Sequence, residues 1–237
     1  MVKFEVEGVD EKYQKHVIFV DEYGKLRTGI VEYIKLIAQN CLTDGVVTGT
    51  STTSPTTNNN ILCYPLPLHS NTVGNDYTEQ TLSVTAAAGS TASGTGSVSA
   101  TFVSNLRNKI IKIRGDVLVG ITYYYSSSAT SGSVEITTID VELGKIDTET
   151  GTKTSIATKT LTINRATTGT VNESAIAIFG NLDFTLEEGE RIYLTITINF
   201  SYTVTNTGTT SITDTATVRI EHYRGTDDTY IMLPVVM

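Results

Sequence analysis

From Ile192 to Thr205 the chain reads IYLTITINFSYTVT, an unbroken alternation of apolar and polar positions. Ile192, Leu194, Ile196, Ile198, Phe200, Tyr202 and Val204 share one face. Tyr193, Thr195, Thr197, Asn199, Ser201, Thr203 and Thr205 share the other. Successive strand side chains point to opposite sides of a sheet, so the run predicts a long strand with one buried and one hydroxyl-covered face. Further strands are predicted at 79–85, 97–104, 109–125, 133–143, 154–163, 173–179 and 213–224, with a short terminal piece at 229–236. Turn composition separates them at 126–132, 147–152, 166–170, 186–190 and 206–210. About eight strands follow one another with no helix between them, which argues for an antiparallel β-sandwich or barrel.

One phase change is informative. In VEITTIDVEL the apolar face passes from Val134 and Ile136 to Ile139, Val141 and Leu143. An extra residue at Thr137-Thr138 predicts a β-bulge, a device used where a strand bends or changes sheets.

Residues 1–45 are compositionally distinct, and residues 1–75 read as an N-terminal arm ahead of a domain at 76–237. HVIFVDEYGKLRT suggests a strand, a turn at Glu22-Tyr23-Gly24 and a second strand. In GIVEYIKLIAQNCL, Ile30, Tyr33, Ile34 and Ile37 fall at i, i+3, i+4, i+7 with Thr28 as an N-cap, which predicts a short amphipathic helix. β-Branching at Ile30, Val31, Ile34 and Ile37 leaves a strand as the competing reading. Residues 44–60 and 86–97 have the composition of exposed, flexible stretches. The two prolines of ILCYPLPLHS argue for an extended, edge-like segment.

The segment NLDFTLEEGERIYLTITI carries a family-like pattern. Leu182, Phe184 and Leu186, a Glu-Glu-Gly-Glu turn and a long alternating strand resemble the late turn of jelly-roll domains, as in carbohydrate-binding modules and viral capsid proteins. With its Thr/Ser/Gly-rich strands, few charges, distinct arm and lack of an export signal, the chain is similar to single jelly-roll structural proteins of icosahedral viruses, above all those of archaeal hosts. The resemblance implies a sandwich of jelly-roll type that self-assembles into a shell or spike. It implies assembly in the host cytoplasm, residence in the virion, and copies of itself and other capsid proteins as partners, so a homo-oligomer. The alternative is a jelly-roll binding module, an adhesin, tail-fibre or glycan-recognition domain.

Composition agrees with a protein that meets proteins. Only 18% of residues are charged, the net charge is -8 and the pI is near 4.9, which argues against nucleic acid as the main ligand. Arg107, Lys109, Lys112 and Arg114 form the densest basic cluster, and they read as the solvent face of a strand. The start has no cationic n-region followed by an apolar h-region, and no apolar stretch is long enough to span a membrane as a helix. Cys41 and Cys63 read as free thiols or one disulfide. Asn172 and Asn199 match the glycosylation acceptor pattern, with modification not expected without export.

Chemistry-bearing patterns are scarce. His16, His69 and His222 are far apart, and no Cys-x-x-Cys, Gly-x-Ser-x-Gly or phosphate-cradling loop occurs. His222 falls on the apolar phase of Ala216, Val218 and Ile220, as a core or contact histidine would. Glu187, Glu188 and Glu190, or Asp227 and Asp228, could gather around calcium, though acids in turns are ordinarily just solvated. The expectation is therefore no catalytic residue, no cofactor, no metal and no enzymatic activity. The candidate contact residues are Tyr123, Tyr124 and Tyr125, whose amphipathic rings suit interfaces, and Thr195, Thr197 and Thr203 of the hydroxyl face.

Overall fold

The computed structural model describes residues 15–20, 26–41, 59–63, 77–104, 110–129, 131–222 and 229–236. They form β1 (Lys15–Val20), β2 (Leu26–Cys41), β3 (Asn59–Cys63), β4 (Tyr77–Ala86), β5 (Thr91–Ser104), β6 (Ile111–Ser127), β7 (Gly132–Asp147), β8 (Lys153–Thr167), β9 (Thr170–Leu186), β10 (Glu190–Thr205), β11 (Ile212–Glu221) and β12 (Tyr230–Val236). No helix occurs among the described residues, and so none long and apolar enough to cross a membrane.

Strands β4 to β11 pair in two antiparallel sets, β4-β11-β6-β9 and β5-β10-β7-β8. Every turn from β4 to β11 except the β7–β8 hairpin carries the chain from one set to the other. Two four-stranded sheets exchanging strands in this order are a jelly-roll sandwich. The order follows from burial: each strand has one apolar phase, and alternating sheets brings those phases face to face. Phe102, Ile113, Val119, Ile136, Ile198 and Tyr202 are among the residues fully enclosed between them.

The bulge falls where the phase change places it. Asn199 faces Thr138 and Phe200 faces Ile136, so Thr137 is passed over. β8 answers with its own irregularity, Thr138 facing Thr162 and Ile136 facing Arg165, with Asn164 at φ +51. The extra residue lets Val134 and Ile136 share the core with Ile139, Val141 and Leu143.

Three expectations are corrected. The segment read as an amphipathic helix lies in β2, which pairs with β12, from Val31 opposite Val236 to Ile37 opposite Tyr230. Its inward phase is Ile34, Leu36 and Ala38, while Tyr33 is exposed, a division no helix face reproduces. Within 86–97, only 87–90 is a turn; β5 starts at Thr91, and Gly94 and Gly96 lie in the strand with core side chains filling the space above them. Residues 59–63 form no edge: β3 pairs with β2 on one side and with β5, at Ile61 and Leu62, on the other. Pro65 and Pro67 follow it, outside the described residues, as does the turn at 22–24.

Strands β12, β2 and β3 thus carry hydrogen bonding from β6 across to β5 at one end of the sandwich. Tyr193 closes the outer surface at this end, its ring resting on Gly144. A Cβ at Gly144 would also stand 2.5 Å from the backbone oxygen of Thr154, which cannot rotate away. Gly144→Ala is expected to destabilise the fold by about 2 kcal/mol, read as a lower urea midpoint. An unchanged midpoint would show that β8 yields there.

Candidate functional site

The outer face of β5, β10 and β7 is a regular polar surface. β5 and β10 are in register from Thr91 opposite Thr205 to Val103 opposite Tyr193, so their outward phases meet as facing pairs. Hydroxyls bond across the seam: Thr101 to Thr195 at 2.8 Å, Ser99 to Thr197 at 2.9 Å, Ser93 to Thr203 at 3.0 Å and Thr91 to Thr205 at 3.3 Å. On the other side Asn199 donates its amide to Asp140 at 2.7 Å and to Thr138 at 3.0 Å. Thr160 of β8 donates to the same aspartate at 2.6 Å. The ladders leave the hydroxyls pre-ordered, so covering this face costs little further side-chain entropy.

Towards the β12 end the face becomes aromatic. Tyr193 is buried and donates to Glu142 at 2.8 Å, and the ammonium of Lys153 lies 5.2 Å from its ring centre. Burial, then the Glu142 carboxylate, pushes its hydroxyl up to about 12.

The tyrosine run divides as its alternation requires. Tyr123 and Tyr125 point inward, each 2% exposed, with rings stacked at 6.0 Å. Tyr123 donates to Glu173 at 2.9 Å, and Arg165 holds the other carboxylate oxygen at 2.7 Å. Burial and that carboxylate raise the Tyr123 hydroxyl far above the usual phenol range. Tyr124 faces outward, half-covered by the Arg219 guanidinium, which stands 4.8 Å from its ring and pairs with Glu79 at 2.6 Å. Thr195, Thr197 and Thr203 lie together on the hydroxyl face, Tyr124 on the outer side of the opposite sheet.

Glu173 and Arg165 stand beside a cleft of about 430 Å³ between β8 and β9, the last strands of their sheets on this side. Leu161, Ile163, Ala175 and Tyr123 line it. Sequence reading missed this pair and Asp140. A signal existed in the acids on the outward phase of β7, but their partners come from distant strands.

The remaining candidates are dispersed. His222 is fully buried, its Nε2 3.1 Å from the Thr78 hydroxyl and its ring edge-on to Phe102 at 5.0 Å. Glu187 and Glu188 are exposed at the turn before β10. Glu190 folds back: burial works against its charge, but the Glu187 amide and the Lys145 ammonium at 2.8 Å hold its carboxyl below the ordinary value. Lys112 and Arg114 pair with Asp183 at 3.0 and 3.4 Å on the solvent face of β6. Among the described residues no three His, Cys, Asp or Glu side chains gather as metal ligands. His69, Arg107, Lys109, Asp227, Asp228 and the side chains of His16, Cys41 and Cys63 lie outside the described residues.

No known protein family and no curated protein sequence matches the chain. Among solved structures it is similar to a selenomethionine-labelled α-amino acid ester hydrolase, at 14% identity over 58% of this chain and 25% of that one, TM-score 0.41. It is similar to a CocE/NonD family hydrolase from Staphylococcus aureus, at 10% identity over 94% and 41%, TM-score 0.40. It also matches the VP2 subviral particle of infectious bursal disease virus, at 10% identity over 94% and 72%, TM-score 0.20. The chain spans a quarter to two fifths of the length of these hydrolases. These matches correct the expectation of no enzymatic activity: hydrolases are among them, and that exclusion does not stand. Similarity this low assigns no activity, substrate or assembly to the chain.

Proposed function

We propose that the chain is a structural protein of a virus particle, a jelly roll that associates with copies of itself and with other capsid proteins into a shell or spike. The reading joins the resemblance of the LEEGE turn and its strands to the jelly-roll strand order. The observation that carries it is the hydroxyl face of β5 and β10. Thr195, Thr197 and Thr203 are already paired across the seam and bear no charge, so a neighbouring subunit can cover them without burying an unpaired ion. In this reading residues 1–75 are an extension of the 76–237 domain, and β2 and β3 are the part of it joined to the sandwich. Assembly takes place in the host cytoplasm and the finished location is the virion, as in the icosahedral viruses of archaeal hosts that the sequence resembles.

Electron microscopy and sedimentation velocity of the purified full chain test this. Shells, rings or spikes are expected. The triple variant Thr195→Lys, Thr197→Lys, Thr203→Lys is expected to keep its circular dichroism spectrum and lose the large particles. A wild-type chain that stays monomeric at high concentration overturns the proposal, as does a triple variant that assembles like wild type.

A further inference from the structure

We propose that β9 is a self-pairing edge, joining two copies through a two-fold axis at Ile176 and extending β4-β11-β6-β9 into one sheet across the dimer. This deepens the self-association proposed above by naming a contact surface. Among the described residues β9 pairs with β6 alone, so no strand pairs with its second edge. Exposed edges ordinarily carry charge that discourages pairing. β8 follows that rule with Lys153, Lys159 and Arg165. The regular part of β9, Thr170 to Phe179, holds one charged residue, Glu173, and it is neutralised by Arg165. Beyond it the strand kinks at Asn181, φ +56.

Two side chains on this stretch need covering. Ile176 is 56% exposed and Ile178 48%, unlike the outward phases of β10 and β7, which are polar. They continue inward along the sheet onto Leu118 and Gly120 of β6, their register partners.

The backbone fixes the register. Lys159 donates its ammonium to the Ile178 carbonyl at 3.0 Å, reaching it from β8. The N–H and C=O of one antiparallel strand residue point to the same side, so the even-numbered residues face away from β6. Opposite residues in an antiparallel ladder must both face the seam, which places even against even. A two-fold at Ile176 sets Ile176 against its own copy and Ile178 against Ser174, with roughly six new backbone bonds. On the outer surface Ile178 and Ile176 of each copy form one apolar stripe. On the inner surface Ala175 meets Ala177 and no like charges oppose. Only a second copy offers this symmetric match. Lys159 occupies one carbonyl of the edge and competes with the partner strand.

Two substitutions separate the proposal from a merely sticky patch. Ile176→Pro removes an N–H that faces away from β6, so the ladder inside the subunit survives. Sedimentation equilibrium of the full chain is expected to show dimer weakened by roughly tenfold or more in this variant, with near-native circular dichroism. Lys159→Ala frees the Ile178 carbonyl and is expected to tighten the dimer. Ile176→Pro that dimerises like wild type, or Lys159→Ala that weakens association, overturns the β9 contact. Particles that form regardless of Ile176→Pro sink this contact and leave the assembly reading intact. A dimer lost on Ile176→Pro, in a chain that never forms particles, supports the contact and sinks the assembly reading.

Discussion

Phe200→Ala is expected to lower the unfolding free energy by about 4 kcal/mol, read as a fall in the urea midpoint at constant slope. Phe200 is 2% exposed, in the middle of β10 and next to the β7 bulge. Its ring lies over Gly96 of β5, where a Cβ would stand 2.6 Å from the ring. Truncation therefore opens a hole above a residue with no side chain, and the neighbouring strands are held in register on both sides. Gly96→Val alone is expected to cost about 2 kcal/mol by overpacking. The two changes together are expected to cost less than their sum, by more than about 1 kcal/mol, because valine occupies the vacated volume. Strict additivity would show that ring and glycine are not in contact.

Acid is expected to destabilise the protein through His222. Burial lowers its folded-state value from 6.5 to about 4. Its ring meets the Thr78 hydroxyl and Phe102, and Nδ1 finds no partner among the described residues. The unfolded chain takes up this proton below pH 6.5 while the folded chain does not until about pH 4. Its contribution is thus whole above pH 6.5, declines as pH falls through that window by about 1.4 kcal/mol per unit, and levels off below pH 4. About 3 kcal/mol is at stake over the window. Urea unfolding at pH 7, 5.5 and 4.5 should give a steeper loss for wild type than for His222→Gln. Parallel pH profiles would show that another group carries the acid sensitivity.

What could be read from the chain is what depends on neighbours in sequence. Side-chain direction alternates residue by residue, so β10, both phases of β7 and the shared face of Tyr123 and Tyr125 were legible, and so was the bulge at Thr137; that their face is the buried one was not. The β2 segment was not. Ile30, Tyr33, Ile34 and Ile37 satisfy a helical spacing, and Ile34, Leu36 and Ala38 satisfy a strand. Pairing with β12, almost two hundred residues later, decides between them. The same limit hid the meeting of Glu173 with Arg165 and Tyr123, and the burial of Phe200 against Gly96. These partners are set by which strands lie side by side.

The sequence by itself determined a succession of β-strands beyond about residue 78, where most of them run and which face of each is apolar. Only the tertiary structure decided that hydroxyls pair with hydroxyls across β5 and β10, and that β9 keeps an open edge bearing Ile176 and Ile178. A strand's period is local, whereas its neighbours are chosen by burying every apolar face at once.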